Sequence, residues 1–425
     1  MKLSEQMTNL KAHAYDEILI RLYGSNNLEA QTARYCDVLQ KAKMLYGDRD
    51  GCILSAPGRC EIGGNHTDHQ LGRVLCASID LDMIAVVIPT DENIIRYHSE
   101  GFEVKPVDIS DLSIRQEEKN TTESLIRGLC AGFVKNGHRI GGFSAYGQST
   151  VLPGSGMSSS AAFEVLIGTI LNSLFNEDKV PYDEIAKLGQ YAENVYFMKP
   201  CGLLDQMACA GGGFTYIDFA DPDNLDIRKV SIDLVKEGYT TIITNCGGSH
   251  ADLSDEYGKV PAEMKSVAKA LGQEVLSRCS YEVLASKIAA LRPELGDRAI
   301  LRAIHFFNET KRAKDEFEAL EKDDVQEFLR LVNASGMSSW TLLQNVAVPG
   351  SAEEQPMPLA LAVSQQMLGK DEACRVHGGG FAGTILTFVK NENKESYVKG
   401  MEAILGEGAC HELMIRPVGG LKVIG

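Results

Sequence analysis

The chain has 425 residues, too many for one ordinary hydrophobic core, so two closely packed domains are expected. Its 42 basic and 58 acidic residues give a net charge of −16, and no Lys/Arg-rich run is present, which excludes nucleic acid as a partner held on a basic face. No run of about 18 apolar residues occurs, which argues against a membrane span; the N-terminus lacks the apolar centre of a signal peptide, and the scattered cysteines, with no C-x-x-C pair, fit a reducing cytoplasm.

Through residues 1–45, Leu and Ile recur at three- and four-residue spacing, which predicts helices. "GCILSAPG" reads as a short strand ending in a turn. Then comes "APGRCEIGGNHTDHQLGRV" (56–74), where Arg59, Asn65, His66, Asp68 and His69 crowd among glycines and a proline. A folding core does not need that density of polar groups, whereas a pocket for a small polar molecule does. "VLCASIDLDMIAVVIP" predicts one or two strands, and "NIIRYHS" and "GGFSAYGQS" predict further ones.

The pattern changes sharply at "VLPGSGMSSSAAFEVLIGTILNSLF", glycine and serine first and then apolar on nearly every side, as in a buried helix. "YDEIAKLGQYAENVYF" carries Ile185, Leu188, Ala192 and Val195 at helical spacing and stops at "KPCG". "GGFTYIDF" and "TTIITNCG" are strands. A composition change across 222–235 marks the expected boundary, dividing a domain of residues 1–225 from one of residues 226–425. Several helices fill residues 263–366, followed by "RVHGGGFAGTILTFV" and a strand-like "LMIRPVGG". Strands that alternate irregularly with helices predict an α+β protein rather than a strict βαβ series.

"PGSGMSSSAA" (153–162) stands directly before the buried helix. Gly154 and Gly156 let successive amides converge, and the first turn of the helix adds unpaired N–H donors and its positive dipole end. That is a phosphate cradle, with Ser155, Met157, Ser158, Ser159 and Ser160 completing the loop and the hydroxyls of Ser158, Ser159 and Ser160 as extra donors or metal ligands. It is not a Walker A loop, because it has no lysine. A Gly-Ser run also serves as a linker, but linkers do not lead straight into an apolar helix.

"PGSGMSSSAA" resembles the phosphate-binding motif of the GHMP small-molecule kinases. "GRCEIGGNHTDH" resembles the galactokinase signature of that superfamily, roughly G-R-x-N-L-I-G-E-H-x-D-Y, and "GGGFAGT" (378–384) its third, glycine-rich motif. The three stand in the family's order and cover most of the chain. The resemblance implies a two-domain α+β fold with the site in the cleft between domains. It further implies phosphorylation of a sugar at C1 by ATP with Mg²⁺.

Residue by residue, Asp205 in "CGLLDQ" falls on the family's catalytic Asp and Arg59 on the Arg beside it. Glu193, eight residues before Cys201, has the spacing of the family's magnesium-binding Glu, with Ser160 as the partner serine. His66, Asp68, Gly202 and Tyr257 fall on sugar-contacting positions. Asn65 stands where the signature has a Glu that meets the C6 hydroxyl of galactose; the Asn removes a negative charge there and adds donors. Galactose is therefore the first acceptor expected, with galacturonate and other sugars left open. Mevalonate- or homoserine-type kinases lack the paired His and Asp of "NHTDH". A catalytically silent sugar sensor is the rival class, but it would carry damage in the serine loop or at Asp205, and both are intact. The sequence sets no oligomeric state.

Overall fold

The computed structural model describes residues 1–102, 104–151, 156–199, 201–247 and 253–425. Strand β1 (Cys52–Gly63) is buried along its whole length and lies in the interior of the larger sheet. The strands that follow are β2 (Arg73–Pro89), β3 (Ile94–Ser99), β4 (Val107–Asp108), β5 (Phe143–Ser149), β6 (Phe214–Asp218) and β7 (Asp226–Val230). Then come β8 (Tyr239–Asn245), β9 (Ala373–Val376), β10 (Thr384–Lys390), β11 (Cys410–Leu413) and β12 (Leu421–Ile424). Eight of these form one sheet in the order β12-β1-β2-β5-β3-β4, with β6 on β2 and β7 on β6; the other four form an antiparallel sheet, β11-β8-β10-β9.

Two features of the larger sheet differ from expectation. "GCILSAPG" does not end in a turn: β1 runs on through Pro57 and Gly58, with its register shifting between Pro57 and Arg59. A bulge is where a strand accommodates proline, and here it stands immediately before Arg59. The run after the polar motif is one long strand that changes partner, pairing with β6 through Arg73 to Ala77 and with β5 through Met83 to Pro89.

Alternation along β1 and β2 gives the sheet two faces. Ile53, Ile84, Val86 and Ile88 pack against the N-terminal helices α1 (Leu3–Lys11), α2 (Asp16–Tyr23) and α3 (Leu28–Tyr46). Beneath that layer Asp82 is fully buried between Arg34 (2.7 Å) and Arg416 (3.0 Å), and it also accepts from Tyr23 (2.6 Å) and Ser55. Leu54, Ala85 and Val87 belong to the larger core on the other side, with α4 (Thr122–Lys135), α5 (Ser159–Phe175), α6 (Tyr182–Tyr191) and α7 (Leu204–Gly211). As the sequence implies, α5 is buried around most of its circumference.

The helices of the second half are α8 (Ser254–Ala270), α9 (Tyr281–Leu295), α10 (Asp297–Glu321), α11 (Val325–Ser338), α12 (Pro356–Met367) and α13 (Lys394–Leu405). Their core is continuous with the first: Phe328 on α11 packs edge-on against both Phe214 of β6 and Phe388 of β10. The expected cut at 225/226 falls between β6 and β7, which pair in one sheet, and β12 returns to β1. A bridge between Ile79 and Ile415 crosses that point as well. "LMIRPVGG" is also corrected: β11 ends at Leu413, and β12 lies beyond the motif's last glycines.

Candidate active site

Arg59 ties together elements distant in sequence. Its backbone amide donates to the Met157 carbonyl (3.3 Å), its Nη1 to the Gly156 carbonyl, and its Nε to Asp205 Oδ1 (2.8 Å). Asp205 stands in the first turn of α7, and its Oδ2 accepts from Ser158 Oγ. Ser158 has a left-handed backbone (φ +56°) and directly precedes α5, whose first turn begins with Ser159 and Ser160. The serine bend, the N-terminal end of a long helix and an Arg–Asp pair thus converge on one point. Gly154 and Ser155 lie outside the described residues. Met157 contributes only its backbone, since its side chain is buried in the core.

The charges at this point are unequally sheltered. The Arg59 side chain is 9% exposed, whereas that of Asp205 keeps 38%. Enclosure by protein pushes the Asp205 carboxyl up, but the charge and hydrogen bond of Arg59, joined by Ser158, outweigh it and hold it below the ordinary carboxylate value. It is therefore ionised at neutral pH and a weak proton acceptor in this state.

Glu193 is nearly buried on a π-helical turn (Ala192–Phe197) that continues α6, a distortion often found at functional sites. Lys199 approaches its Oε1 (3.5 Å), and Gln206 Nε2 donates to its Oε2 (3.0 Å). The same Gln206 nitrogen reaches Glu164 Oε2 (2.9 Å), and Glu164 stands one helical turn beyond Ser160 on α5. Burial, then the Glu193 charge, push the Glu164 carboxyl well above its usual value. Glu164 Oε1 and Gln206 Oε1 are buried with no hydrogen-bond partner among the described residues. An all-oxygen set with unspent acceptors suits a hard divalent cation. No cluster of three or more His, Cys, Asp or Glu among the described residues could hold a metal alone. Such a cation would complete its shell with water and phosphate oxygens.

The polar motif after β1 gathers round the glycine-rich turn between β9 and β10. His66 Nε2 lies 3.0 Å from the Gly379 carbonyl, and the Tyr257 hydroxyl donates to the Gly380 carbonyl (2.8 Å). The Tyr257 ring stands edge-on to Phe381 and so close to Gly379 that a Cβ there would come within 2.6 Å of it. The Asp68 carboxylate rests against Gly202, three residues before Asp205; a Cβ on Gly202 would lie 2.6 Å from Asp68 Oδ2. Asn65 does not fit the expectation of a side chain turned to the sugar. It is fully buried, and its amide is saturated by Glu61, Gly378, Ser339 and Asn345.

Sequence reasoning missed Glu164, Gln206, Asn345, Arg375 and His377. Gln206 directly follows Asp205, and Arg375 and His377 directly precede the glycine turn, so proximity to a motif was the available signal. Arg375 donates to Glu61 (3.1 Å) and to the Ile62 carbonyl; His377 Nε2 accepts from the Glu61 amide (3.2 Å).

A two-sheet α+β fold in which a serine bend leading into a buried helix meets an Arg–Asp pair suits phosphoryl transfer to a small molecule. Residues 124–213 match the GHMP kinases N terminal domain, and residues 43–89 match the galactokinase galactose-binding signature. The chain thus carries an N-terminal domain of the GHMP kinase type and a sugar motif of the galactokinase type over those residues. It is 28% identical to the galactokinase of Streptomyces coelicolor over 85% of this chain and 91% of that one. To the galactokinase of Clostridium tetani it is 27% identical over 84% and 88%. The fold matches that of Lactococcus lactis galactokinase complexed with galactose with a TM-score of 0.77, at 24% identity, over 90% of this chain and 98% of that one. It matches Methanococcus jannaschii mevalonate kinase less closely (TM-score 0.62, 14% identity, 86% and 98%). No helix among the described residues is long and apolar enough to cross a membrane.

Proposed function

We propose that the chain transfers the γ-phosphoryl group of ATP to the C1 hydroxyl of galactose, giving α-galactose 1-phosphate. The observation that carries this reading is the junction of Arg59, Gly156, Ser158 and Asp205, which sets a carboxylate beside a helix N-terminus built for phosphate. Residues 156–160 and the first amides of α5 hold the nucleotide's phosphates. Asp205 accepts a hydrogen bond from the attacking hydroxyl, aligns its oxygen and takes up its proton as the bond to phosphorus forms. Arg59 keeps that carboxylate ionised and faces the charge that spreads over the transferring group. Because Arg59 and Ser158 both lower the basicity of Asp205, we infer that orientation and charge outweigh strong base catalysis.

His66, Asp68, Gly202 and Tyr257 form the sugar side, where a carboxylate can accept from vicinal hydroxyls and a glycine lets backbone approach the ring. Glu193 and Ser160 would hold Mg²⁺, and the orphaned oxygens of Glu164 and Gln206 fit a cation beside them. When bound, the ion screens the phosphate charges of ATP. We place the protein in the cytoplasm on the grounds of its unpaired cysteines.

The test is ADP release with galactose, galacturonate, fucose, arabinose, N-acetylgalactosamine and mevalonate as acceptors. Galactose should give the highest kcat/KM. A preference for galacturonate would revise the acceptor, and turnover of mevalonate alone would remove the sugar reading. Wild-type binding of galactose and ATP without turnover would identify a sensor instead.

A further inference from the structure

The buried amide of Asn65 has its full complement of hydrogen bonds. Its Nδ2 donates to Glu61 Oε1 (2.7 Å) and the Gly378 carbonyl (2.8 Å); its Oδ1 accepts from Asn345 Nδ2 (2.8 Å) and Ser339 Oγ (3.2 Å). Asn345 Nδ2 also donates to the Gly379 carbonyl (3.0 Å), which His66 meets from the other side, and Tyr257 takes the Gly380 carbonyl. Three consecutive carbonyls of the glycine turn are therefore drawn to side chains of the polar motif, of α8 and of the segment after α11.

The turn's backbone alternates in hand. Gly378 and Gly380 have φ of +66° and +82°, while Gly379 between them is not left-handed. Such alternation turns successive amides into a concavity that suits a negatively charged oxygen. The amides of Gly378, Gly379 and Gly380 have no acceptor among the described residues. This turn also lies beside the phosphate bend: a Cβ on Gly378 would stand 3.8 Å from the Gly156 carbonyl, and one on Gly156 would stand 3.6 Å from His377.

We propose that Asn65 is a positioning residue that acts through residues 378–380, holding their amide edge toward the bend at Gly156, and that it does not read the sugar directly. The inference rests on the phosphoryl-transfer reading of this cleft. Only a carboxamide satisfies the position, because one end must donate to a carboxylate and a carbonyl while the other accepts from an amide and a hydroxyl. A carboxylate at residue 65 would face Glu61 and the Gly378 carbonyl with no hydrogen to give. The signature's own arrangement has Asn and Glu exchanged between these two positions, so the pair has to be considered as a unit.

The test compares galactose with its 6-deoxy analogue in Asn65→Asp and in Asn345→Ser, which loosens the same turn from outside the motif. Positioning predicts that both variants lower kcat by about 10- to 100-fold. It also predicts that sugar KM stays within about threefold and that the ratio of kcat/KM for the two sugars stays within about twofold. Glu61→Gln, which returns a donor to residue 65, should recover part of the loss in the Asn65→Asp background. A ratio that moves by about tenfold in Asn65→Asp alone would mean direct recognition and overturn the proposal. If Asn65→Asp does not fold, Asn345→Ser decides: unchanged kcat overturns the proposal. Absence of wild-type turnover on every sugar removes the phosphotransfer reading itself, and this inference with it.

Discussion

Arg59→Lys separates the charge of residue 59 from its shape. The guanidinium reaches Asp205 Oδ1 through Nε at 2.8 Å and the Gly156 carbonyl through Nη1 at the same time. Lysine ends in one nitrogen and cannot occupy both places. One charge-assisted hydrogen bond is lost, about 1.5–3 kcal/mol. At about 1.4 kcal/mol per factor of ten, kcat falls roughly 10- to 100-fold if that bond is made in full at the transition state. Sugar KM should stay within about threefold, because the bond lies on the phosphate side. Arg59→Met is the companion variant. It removes the charge, leaves only the Ser158 hydrogen bond and the charge of Lys199 to oppose enclosure at Asp205, and lets that carboxyl rise, so the acid limb of the rate profile should move to higher pH. The limb should stay in place in Arg59→Lys. Initial rates of ADP release at saturating ATP, measured down through the acid range, give both quantities. Full kcat in Arg59→Lys, or an unmoved acid limb in Arg59→Met, would refute the role assigned to the pair.

Asp205→Asn should lower kcat by about 10²–10⁴-fold while galactose and ATP still bind by calorimetry; retained turnover would remove Asp205 from the chemistry. Glu193→Gln should raise the Mg²⁺ concentration for half-maximal rate by about tenfold or more, and an unchanged Mg²⁺ titration would reassign the ion. Asp82→Ala should cost about 3–5 kcal/mol of stability by denaturant melt, since it leaves Arg34 and Arg416 without their shared buried anion. Burial raises the Asp82 carboxyl, but Arg34 and then Arg416 pull it below its ordinary value in the folded chain. The wild-type advantage is therefore fully present above the unfolded-state value of about 3.9 and fades as pH falls through the lower folded value. A difference between the two chains that grows on acidification would contradict that sign.

The legible parts of the fold were those whose signal is local. The apolar run after the serine loop could only be a buried helix, and "TTIITNCG" and "GGFTYIDF" could only be strands; both readings match α5, β8 and β6. β1 was misread because Pro57 and Gly58 look like punctuation unless the bulge facing β2 is known. Pairing across the expected 225/226 cut was hidden for a related reason: no local pattern announces that β12 pairs with β1. At the site, Arg59, Ser158 and Asp205 were legible because each lies inside a short motif. Their meeting rests on pairing across 146 residues from Arg59 to Asp205, which no spacing displays. The burial of Asn65 was hidden by its company. It stands among residues that line the pocket, but a strand end followed by a tight turn sends neighbours in different directions, and its side chain points into the protein. Glu164 and Gln206 were invisible as a pair because a buried carboxylate in an apolar helix carries no periodic signature.

The pairing of β12 with β1 fixes an order of events during synthesis. β12 is the edge partner of β1, and Arg416, just before it, supplies the second cation to Asp82. Arg416 follows Asp82 by 334 residues, so it and β12 leave the ribosome long after β1 and Asp82. Until then β1 exposes an unpaired row of amides and carbonyls, and Asp82 has one arginine instead of two. A nascent chain that has not yet reached β12 is thus a ready template for strand addition by its neighbours. Chains truncated before Arg416 should accumulate as aggregates even though every residue of the phosphate bend has already been made.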